Sequence, residues 1–401
     1  MANTTLQKVI VTGGAGYVGS HVLHVLQKTR RYKVISLDNC HNSHPEVYKR
    51  LEQIAHDELP AAPSAQEVES TKIEYYNVDL TDVAAVRGVF EKYGKGGVWG
   101  VIHIAVGIVL IISLAIPPFG SDLIAHSVLF PQAWKAVGES TRIPLTYYQN
   151  NVASTIALLR IMDEFDCTRI VYSSSATVYG VPPQIPIPES TRLQALSPYG
   201  NTKIVCEGII KDLCASDPKR WRGLSLRYFN PGGAHPSGLI GEDPVGRPNN
   251  LLPILAQMAV GRIEPKLSVY GDDYPGTPDG TCVRDYLHVV DLAAGHQLAL
   301  DALSDSSRIF PPGTDNYYKV YNLGRGQGVS VLQMVDAMRK ATGCDYKTEI
   351  VGRRKGDVPD LTADPTLAEK ELGFKASQTL EDMCRDLWNW QSKNAKGYAR
   401  E

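Results

Sequence analysis

Residues 12–19 read Thr12-Gly13-Gly14-Ala15-Gly16-Tyr17-Val18-Gly19, with glycines in the spacing G-x-x-G-x-x-G. The residues before them, Val9 to Thr12, form a short apolar run that is typical of a buried strand. The residues after them, Val18 to Leu26, have apolar side chains at helical spacing. A strand, a glycine-rich turn and a helix in this order predict the opening βαβ unit of a dinucleotide-binding fold.

The three spaced glycines have separate roles in such a turn. Gly13 allows the chain to turn tightly, Gly16 lets the backbone approach a pyrophosphate, and Gly19 permits close packing of the helix on the sheet. The NH groups and the positive dipole end at the helix N-terminus then face the phosphates.

Further segments typical of strands alternate with helical segments along the first half of the chain. They are Val34 to Leu37, Ile73 to Asn77, Val101 to Ala105 and Ile170 to Tyr172. Strands that alternate with helices predict an α/β fold with a parallel, doubly wound Rossmann sheet. Loops rich in proline and glycine beyond about Asn230 predict a smaller C-terminal α/β part. We therefore expect a Rossmann domain at residues 1–230 and a substrate-binding domain at 231–401, some segments of which return to the first.

Two aspartates follow predicted strands at positions where a cofactor could bind. Asp38 ends the second strand about 20 residues after the glycines, where a carboxylate accepts both ribose hydroxyls and repels a 2'-phosphate. NAD is therefore favoured over NADP. Asp79 follows the third strand and is predicted to bond the adenine.

A tyrosine and a lysine are spaced for catalysis. Tyr199 and Lys203 are four residues apart and hence lie on one face of a helix. A tyrosine normally titrates near 10, and a fixed neighbouring ammonium favours the phenolate. The hydroxyls of Ser173 to Gly180 follow a strand, at the sheet edge where open α/β sheets bind ligands. The pattern predicts hydride transfer at an alcohol carbon, with the phenol as base.

The composition excludes several classes of partner. The 401 residues are 43% hydrophobic and 21% charged with a net charge of -2, so we expect no nucleic acid or membrane surface as partner. Seven scattered cysteines without a C-x-x-C pair indicate free thiols. The N-terminal residues lack the features of a secretory signal, so a cytoplasmic location is predicted. No metal site is predicted.

The chain resembles the extended short-chain dehydrogenase/reductase family, and within it the UDP-glucose 4-epimerases. The motifs that carry the resemblance occur in the family's order along nearly the whole chain. They are Thr12 to Gly19, Asp38 to Ser43, Lys135 to Ser140, Tyr147 to Val152, Ser173 to Gly180, Ser197 to Lys203, Arg227 to Pro231, Gly233 to Gly238, Pro248 to Leu251, Val283 to Tyr286, and Arg353 to Asp357.

The resemblance implies a catalytic trio of Ser175, Tyr199 and Lys203 that interconverts UDP-glucose and UDP-galactose. Tyr199 would take the proton of the C4 hydroxyl while hydride passes from C4 to NAD, and Ser175 would bond the oxygen. Lys203 would lower the tyrosine pKa and hold the ribose. The keto sugar would then rotate and receive the hydride on its opposite face.

The resemblance also implies two sets of binding residues. The NAD contacts would be Gly13, Gly16, Tyr17, Val18, Gly19, Asp38, Asn39, Cys40, His41, Asn42, Ser43, Asp79, Leu80, Lys135, Asn150, Ser175, Tyr199, Lys203 and Phe229. The UDP-sugar contacts would be Lys135, Ser175, Tyr199, Asn230, Asn250, Leu251, Arg284, Arg354 and Asp357. The resemblance further implies a homodimer, in which helices near Asn151 to Phe165 and Tyr199 to Ala215 pair in a four-helix bundle.

Two other classes of function remain open at this point: another enzyme of the extended short-chain dehydrogenase family, such as a 4,6-dehydratase, and a protein without catalytic activity. A nucleotide-sugar 4,6-dehydratase shares the fold, but that family carries Asp-Glu where this chain has Ala176-Thr177. A non-catalytic NAD-binding protein is the second alternative. An insertion of about residues 106–134 favours it, because the family passes almost directly from the strand end at Ala105 to Lys135.

The insertion is either a lineage-specific flap or translated intron sequence. We favour the intron, because the apolar run suits neither a solvated loop nor a membrane span of roughly 20 residues. Deletion of about Gly107 to Gln132, a range set by usual loop lengths, is then expected to leave epimerase activity equal or higher. Loss of turnover in a deletion variant that stays folded would instead make the segment a functional lid. Sequencing the transcript distinguishes the two origins.

Overall fold

The computed structural model describes residues 6–105, 137–246, 248, 250–305, 308–354 and 357–398. The insertion at about 106–134 lies outside these residues. Lys135, which we predicted to contact both NAD and the substrate, lies outside them as well.

The described residues form helices and strands that alternate over much of the chain. The strands are β1 Gln7–Thr12, β2 Tyr32–Asp38, β3 Ile73–Asn77, β4 Gly100–His103, β5 Arg169–Ser175, β6 Arg222–Tyr228, β7 Asn230–Gly232, β8 Lys266–Tyr270, β9 Val283–His288, β10 Tyr318–Leu323, β11 Gly328–Ser330, β12 Lys347–Val351 and β13 Asp360–Leu361. The α-helices are α1 Tyr17–Lys28, α2 Glu46–Asp57, α3 Ala65–Ser70, α4 Val83–Tyr93, α5 Val137–Ser140, α6 Pro144–Tyr148, α7 Ser154–Glu164, α8 Pro198–Ser216, α9 Leu251–Ala259, α10 Val289–Ser304, α11 Val331–Thr342, α12 Thr366–Leu372 and α13 Leu380–Lys393.

Seven strands form one parallel sheet in the order β3-β2-β1-β4-β5-β6-β10. The order reverses between β1 and β4, which is the switch point where doubly wound sheets bind ligands. The predicted Rossmann α/β fold is confirmed. The five strands expected from the sequence are all present, and β6 and β10 complete the sheet without having been predicted.

Helices cover both faces of this sheet, because its strands are apolar on both sides. Val9 and Val11 of β1 pack into the layer that contains α1, α2 and α10. Ile10, between them, packs into the opposite layer with α4, α7 and α8. Successive side chains of a strand point to opposite faces, so an unbroken apolar run buries both faces of a parallel sheet.

The chain beyond residue 230 forms two small sheets and also contributes to the large one. Strands β11, β9 and β13 lie side by side with β7 paired to β9, and β12 pairs with β8. Strand β10 lies at the edge of the main sheet, and α10 packs against α1. Within the described ranges, none of the helices has both the length and the apolar character that a membrane crossing requires.

Candidate active site

The glycine turn has close contacts that only glycine permits. The NH of Gly13 donates to the Leu37 carbonyl at 2.8 Å, and its φ is +73°. A Cβ at Gly19 would lie 1.9 Å from the carbonyl oxygen of Gly13. A Cβ at Gly14 would lie 2.2 Å from Oγ of Ser36, so Gly14 is a further required glycine that the spacing did not reveal. Because these glycines have no side chains, the backbone of the turn lies close to the N-terminus of α1.

A cavity opens at this turn, beside the switch point of the sheet. Ten of the predicted NAD contacts line it: Gly13, Gly16, Tyr17, Val18, Gly19, Asp38, Asn39, Asn42, Ser43 and Leu80. The glycine turn and the end of β2 therefore line the same cavity.

Asp38 links the glycine turn to the loop that follows β2. Its Oδ2 accepts a hydrogen bond from the NH of Ala15 at 3.0 Å. Its Oδ1 accepts from the NH of Cys40 at 2.8 Å and from Oγ of Ser43 at 3.0 Å. Burial raises the pKa of Asp38, and these donors oppose that rise. The carboxylate is therefore held in a fixed orientation beside the cavity.

Three other predicted NAD contacts support the cavity without being among its lining residues. Cys40 bonds Asp38 through its backbone, and the NH of His41 donates to Oδ1 of Asn39 at 3.2 Å. Oδ2 of Asp79 accepts from Nδ2 of Asn39 at 2.9 Å. In this structure these residues position Asp38 and Asn39.

The cavity is also lined by residues that were not predicted from the sequence, several of them from distant parts of the chain. They are His44, Val78, Ile104, Ala105, Gly241, Glu242, Asp243, Pro244 and Tyr398, besides Ala15 and Leu37. Oδ2 of Asp243 accepts from the NH of Tyr398 at 3.0 Å. The rings of Tyr398 and His44 are stacked with their centroids 6.2 Å apart.

Ser175 and Tyr199 meet at the carboxyl end of β5. Ser175 is the last residue of β5, and Tyr199 lies in the first turn of α8, whose N-cap Ser197 accepts from the NH of Gly200. The side chain of Ser175 opposes the rise in the pKa of the Tyr199 phenol that burial causes. Oγ of Ser175 also accepts from Oγ1 of Thr177 at 3.0 Å. The predicted serine and tyrosine are therefore adjacent.

Lys203 is buried one turn further along α8. Its Nζ donates to the carbonyl of Ser173 at 2.6 Å and lies 5.8 Å from the centroid of the Tyr199 ring. Burial lowers the pKa of Lys203 to about 8 and raises the pKa of Tyr199 to about 12, although Ser175 opposes the latter. The pKa of Tyr199 is therefore above its ordinary value in this structure, because burial outweighs the effect of Ser175.

Asn150 provides a test of whether a cofactor fits this site. It lies in a five-residue π-helix, Gln149–Ala153, a local irregularity that is frequent at functional sites. Its side chain is fully buried, and neither amide atom has a hydrogen-bond partner in the described structure. Its neighbour Asn151 donates from Nδ2 to Oγ1 of Thr202 on α8 at 2.9 Å. Asn150 is therefore a buried amide beside α8 that lacks hydrogen-bond partners. Such an amide fits a cofactor that supplies those partners.

A buried ion pair ties α8 to the main sheet. Glu207 of α8 accepts two hydrogen bonds from Arg227 of β6, at 3.0 and 2.7 Å, and both side chains are 5% exposed. Ser174 of β5 also donates to Glu207. Arg227 donates further to the hydroxyl of Tyr179 at 2.9 Å. This network, which joins α8 to two strands of the main sheet, was not predicted from the sequence.

The predicted arginines and aspartate of the UDP site lie together at the small sheets. Arg354 forms a two-pronged contact with Asp357, with both N···O distances 3.0 Å. Arg284 lies 3.8 Å from the same carboxylate and donates to the Val283 and Val358 carbonyls. The structure therefore brings these three residues together.

The remaining predicted substrate residues and Phe229 lie on neighbouring elements. Asn230 begins β7 and pairs with Tyr286 of β9. Asn250 immediately precedes α9, and Leu251 is the first residue of that helix. Phe229 is buried in a small cluster with Tyr179.

Comparisons with known proteins agree with this geometry. A family model described as NAD dependent epimerase/dehydratase family matches residues 9–109, and one described as GDP-mannose 4,6 dehydratase matches residues 128–387. A UDP-glucose 4-epimerase of Dictyostelium discoideum is 45% identical, with 98% of each chain covered. A UDP-glucose 4-epimerase of Drosophila melanogaster is 47% identical, covering 98% of this chain and 99% of the relative.

The chain belongs to the UDP-glucose 4-epimerase family. A crystal structure of a family member from Bifidobacterium longum, in complex with NAD+ and UDP, matches it with a TM-score of 0.80. That match has 41% identity and covers 98% of this chain and 100% of the other. The protein is an NAD-dependent isomerase, and the predicted family, enzyme class and cofactor are confirmed.

The residues after Ser175 disfavour the dehydratase alternative. Ala176 and Thr177 lie in a short 3-10 turn, Ala176–Val178. Ala176 carries no ionisable group, and the hydroxyl of Thr177 donates to Ser175. Elimination of water requires an acid and a base beside the serine, and these two positions supply neither.

Proposed function

We propose that the enzyme interconverts UDP-glucose and UDP-galactose by removing and returning the hydrogen at C4 of the hexose. The observation that carries the proposal is the convergence of Ser175, at the carboxyl end of β5, with Tyr199 and Lys203 of α8, whose ammonium donates to the carbonyl of Ser173 in β5. Open α/β sheets bind their ligands at this edge. The identity to UDP-glucose 4-epimerases over nearly the whole chain supports the choice of substrate.

In this proposal the two hydroxyl groups act on the sugar oxygen. Tyr199 takes the proton of the C4 hydroxyl and later gives it back, and Ser175 keeps that oxygen in place by a hydrogen bond. Bound NAD supplies a hydride acceptor and donor. Lys203 is a positive charge at about 6 Å from the phenol ring, so it stabilises the phenolate when the proton leaves.

The nucleotide would be held by the arginines of the C-terminal part. Arg284 and Arg354 carry planar forks that suit phosphate oxygens. Asp357 holds Arg354 at 3.0 Å and therefore fixes the direction of that fork. Asn230, Asn250 and Leu251 are proposed to complete the UDP site.

The proposal is tested by incubating the purified protein with UDP-galactose in the absence of added NAD. We expect UDP-glucose to form, because the cofactor is not consumed in a reaction without net oxidation. The products are separated by chromatography of the nucleotide sugars. No conversion by a folded, NAD-loaded protein would refute the proposed function.

We also propose that the enzyme is a homodimer formed through α7 and α8. Val205 of α8 is 39% exposed, although it is an apolar residue in a helix that packs on the core. A Cβ at the neighbouring Gly208 would meet no atom within 4 Å, so this helix face is open. Val152 and Ile156 lie on the adjacent helical segment and are half-buried. A twofold axis would bury these residues against their copies.

The Val205→Glu variant is expected to raise the dimer dissociation constant on the order of 100-fold, because a twofold axis places two unpaired carboxylates in an apolar contact. Analytical ultracentrifugation measures the change. Val83→Glu is the matched control, since Val83 is also exposed but lies on α4. An unchanged dimer fraction in Val205→Glu would show that this face is not the interface.

The cytoplasm is our proposed location. All seven cysteines are free, and five of them are buried as thiols. Free thiols of this kind persist in a reducing compartment. An activity assay of fractionated cells would test the location.

A further inference from the structure

Two histidines and a glutamate from separate parts of the chain converge beside the cofactor-binding helix. His24 lies on α1, Glu58 follows α2, and His235 lies in the loop after β7. One ligand atom of each lies within 4.8 Å of the other two. We propose that His24, Glu58 and His235 bind a divalent transition-metal ion, for which Zn²⁺ is the best fit.

The three side chains supply the donor atoms that zinc prefers. Zinc takes imidazole nitrogen at about 2.0–2.1 Å and carboxylate oxygen at about 2.0–2.2 Å, often with three protein ligands and one water. Two such ligands in a tetrahedron are about 3.3–3.5 Å apart. Nε2 of His24 lies 3.6 Å from Oε1 of Glu58. These two ligands therefore need to move by only a small distance to share one ion.

The rings of His24 and His235 are arranged so that each can contribute one nitrogen ligand. They meet edge to face, with their centroids 4.7 Å apart and an interplanar angle of 85°. His24 is 4% exposed, and its Nδ1 has no hydrogen-bond partner among the described residues. Nε2 is the ring nitrogen of His24 that faces Glu58, so it is the donor atom that His24 would contribute.

The loop around His235 fixes the orientation of its ring. Nδ1 accepts a hydrogen bond from the NH of Ser237 at 3.3 Å and lies 2.9 Å from Oγ of the same residue. The NH of Leu239 donates to the same Oγ at 3.1 Å and holds it in place.

One nearby cation competes with a bound ion. Nζ of Lys28 lies 3.9 Å from Oε1 of Glu58, but the side chain of Lys28 is 66% exposed. Exposed ion pairs contribute little free energy, so the ammonium can turn away into solvent when a metal binds.

A metal ion bound by these three residues would link the loop after β7 to α1 and to the end of α2. The carbonyl of Gly233, in the same loop, accepts a hydrogen bond from the hydroxyl of Tyr17 at 2.7 Å. Tyr17 lines the cofactor cavity. A bound ion would therefore stabilise the junction of the two parts of the chain next to that cavity, whatever substrate the enzyme takes.

The test is a titration of the chelator-treated full chain with zinc chloride, followed by calorimetry and thermal unfolding. We expect one saturable site and an increase of the unfolding temperature on the order of a few °C at about 100 times the dissociation constant. The variants Glu58→Gln and His235→Gln are each expected to weaken binding by about 10-fold or more. Glu58 is partly exposed, so its replacement leaves the fold intact.

The matched control is His56→Gln, because His56 is an exposed histidine in the last turn of α2, close in sequence to Glu58. It should bind zinc as the unmodified chain does. Absence of saturable binding by the unmodified chain would overturn the proposal. Equal affinity in Glu58→Gln, His235→Gln and the unmodified chain would overturn it as well, and would leave the cluster as a buried ion pair only.

Discussion

Replacing Tyr199 with phenylalanine is expected to lower kcat by about 10²- to 10⁴-fold, the contribution of a positioned acid–base group. The ring and its packing against Tyr147 remain, because only the hydroxyl is removed. The C4 oxygen then loses the group that takes and returns its proton. Steady-state kinetics with UDP-galactose measures the change, and circular dichroism establishes that the variant is folded.

Tyr318→Phe is the matched control for this substitution. Tyr318 is a tyrosine of β10 at the edge of the main sheet, and its hydroxyl donates to Oγ of Ser225 at 2.8 Å. Loss of the Tyr318 hydroxyl removes one hydrogen bond, and a neutral hydrogen bond contributes about 1 kcal/mol to stability. We therefore expect the kcat of this control to stay within about twofold of the kcat of the unmodified enzyme. If Tyr199→Phe retained the turnover of this control, Tyr199 would not be the base.

The Gly19→Ala variant is expected to lose bound NAD together with activity. A Cβ at this position would lie 1.9 Å from the Gly13 carbonyl oxygen and 2.8 Å from Cα of Gly14. Both contacts are to backbone, so the turn itself must shift and can no longer approach the pyrophosphate. Extraction of the purified variant with acid and enzymatic assay of the released NAD measures the loss, which we expect to exceed about 10-fold.

Gly88→Ala separates this effect from a general response to replacing a glycine. Gly88 lies within α4, and a Cβ there would meet no atom within 4 Å. Alanine stabilises a helix interior by about 1 kcal/mol relative to glycine, so this variant should keep its NAD and unfold at a slightly higher temperature. Full retention of NAD by Gly19→Ala would contradict the assigned role of the turn.

Local patterns allowed the first half of the fold to be predicted. The first five strands of the main sheet are short segments rich in apolar or aromatic residues that alternate with helical segments, and such signals need no knowledge of distant residues. Strand β6 was missed because its sequence, Arg222–Tyr228, has arginines at two of its seven positions. Arg227 is nevertheless buried, since Glu207 neutralises it. That pairing joins residues 20 positions apart on different elements.

The cofactor site was predictable only where the chain itself carries the pattern. The glycine turn and Asp38 are linked by the length of one βαβ unit, so their spacing identifies them. Gly241 to Pro244 and Tyr398 reach the same cavity through tertiary contacts such as the bond from Tyr398 to Asp243. The low exposure that sets the pKa of Tyr199 also depends on packing and could not be seen in the spacing of Tyr199 and Lys203.

In the proposed reaction, one site removes the hydrogen at C4 and returns the same hydrogen to the opposite face of the sugar. UDP-galactose labelled with deuterium at C4 tests this return, with the product examined by mass spectrometry and NMR. We predict that UDP-glucose formed in ordinary water carries the deuterium at C4 in full. Loss of the label to solvent, with hydrogen from water in its place, would rule out direct return of the hydride.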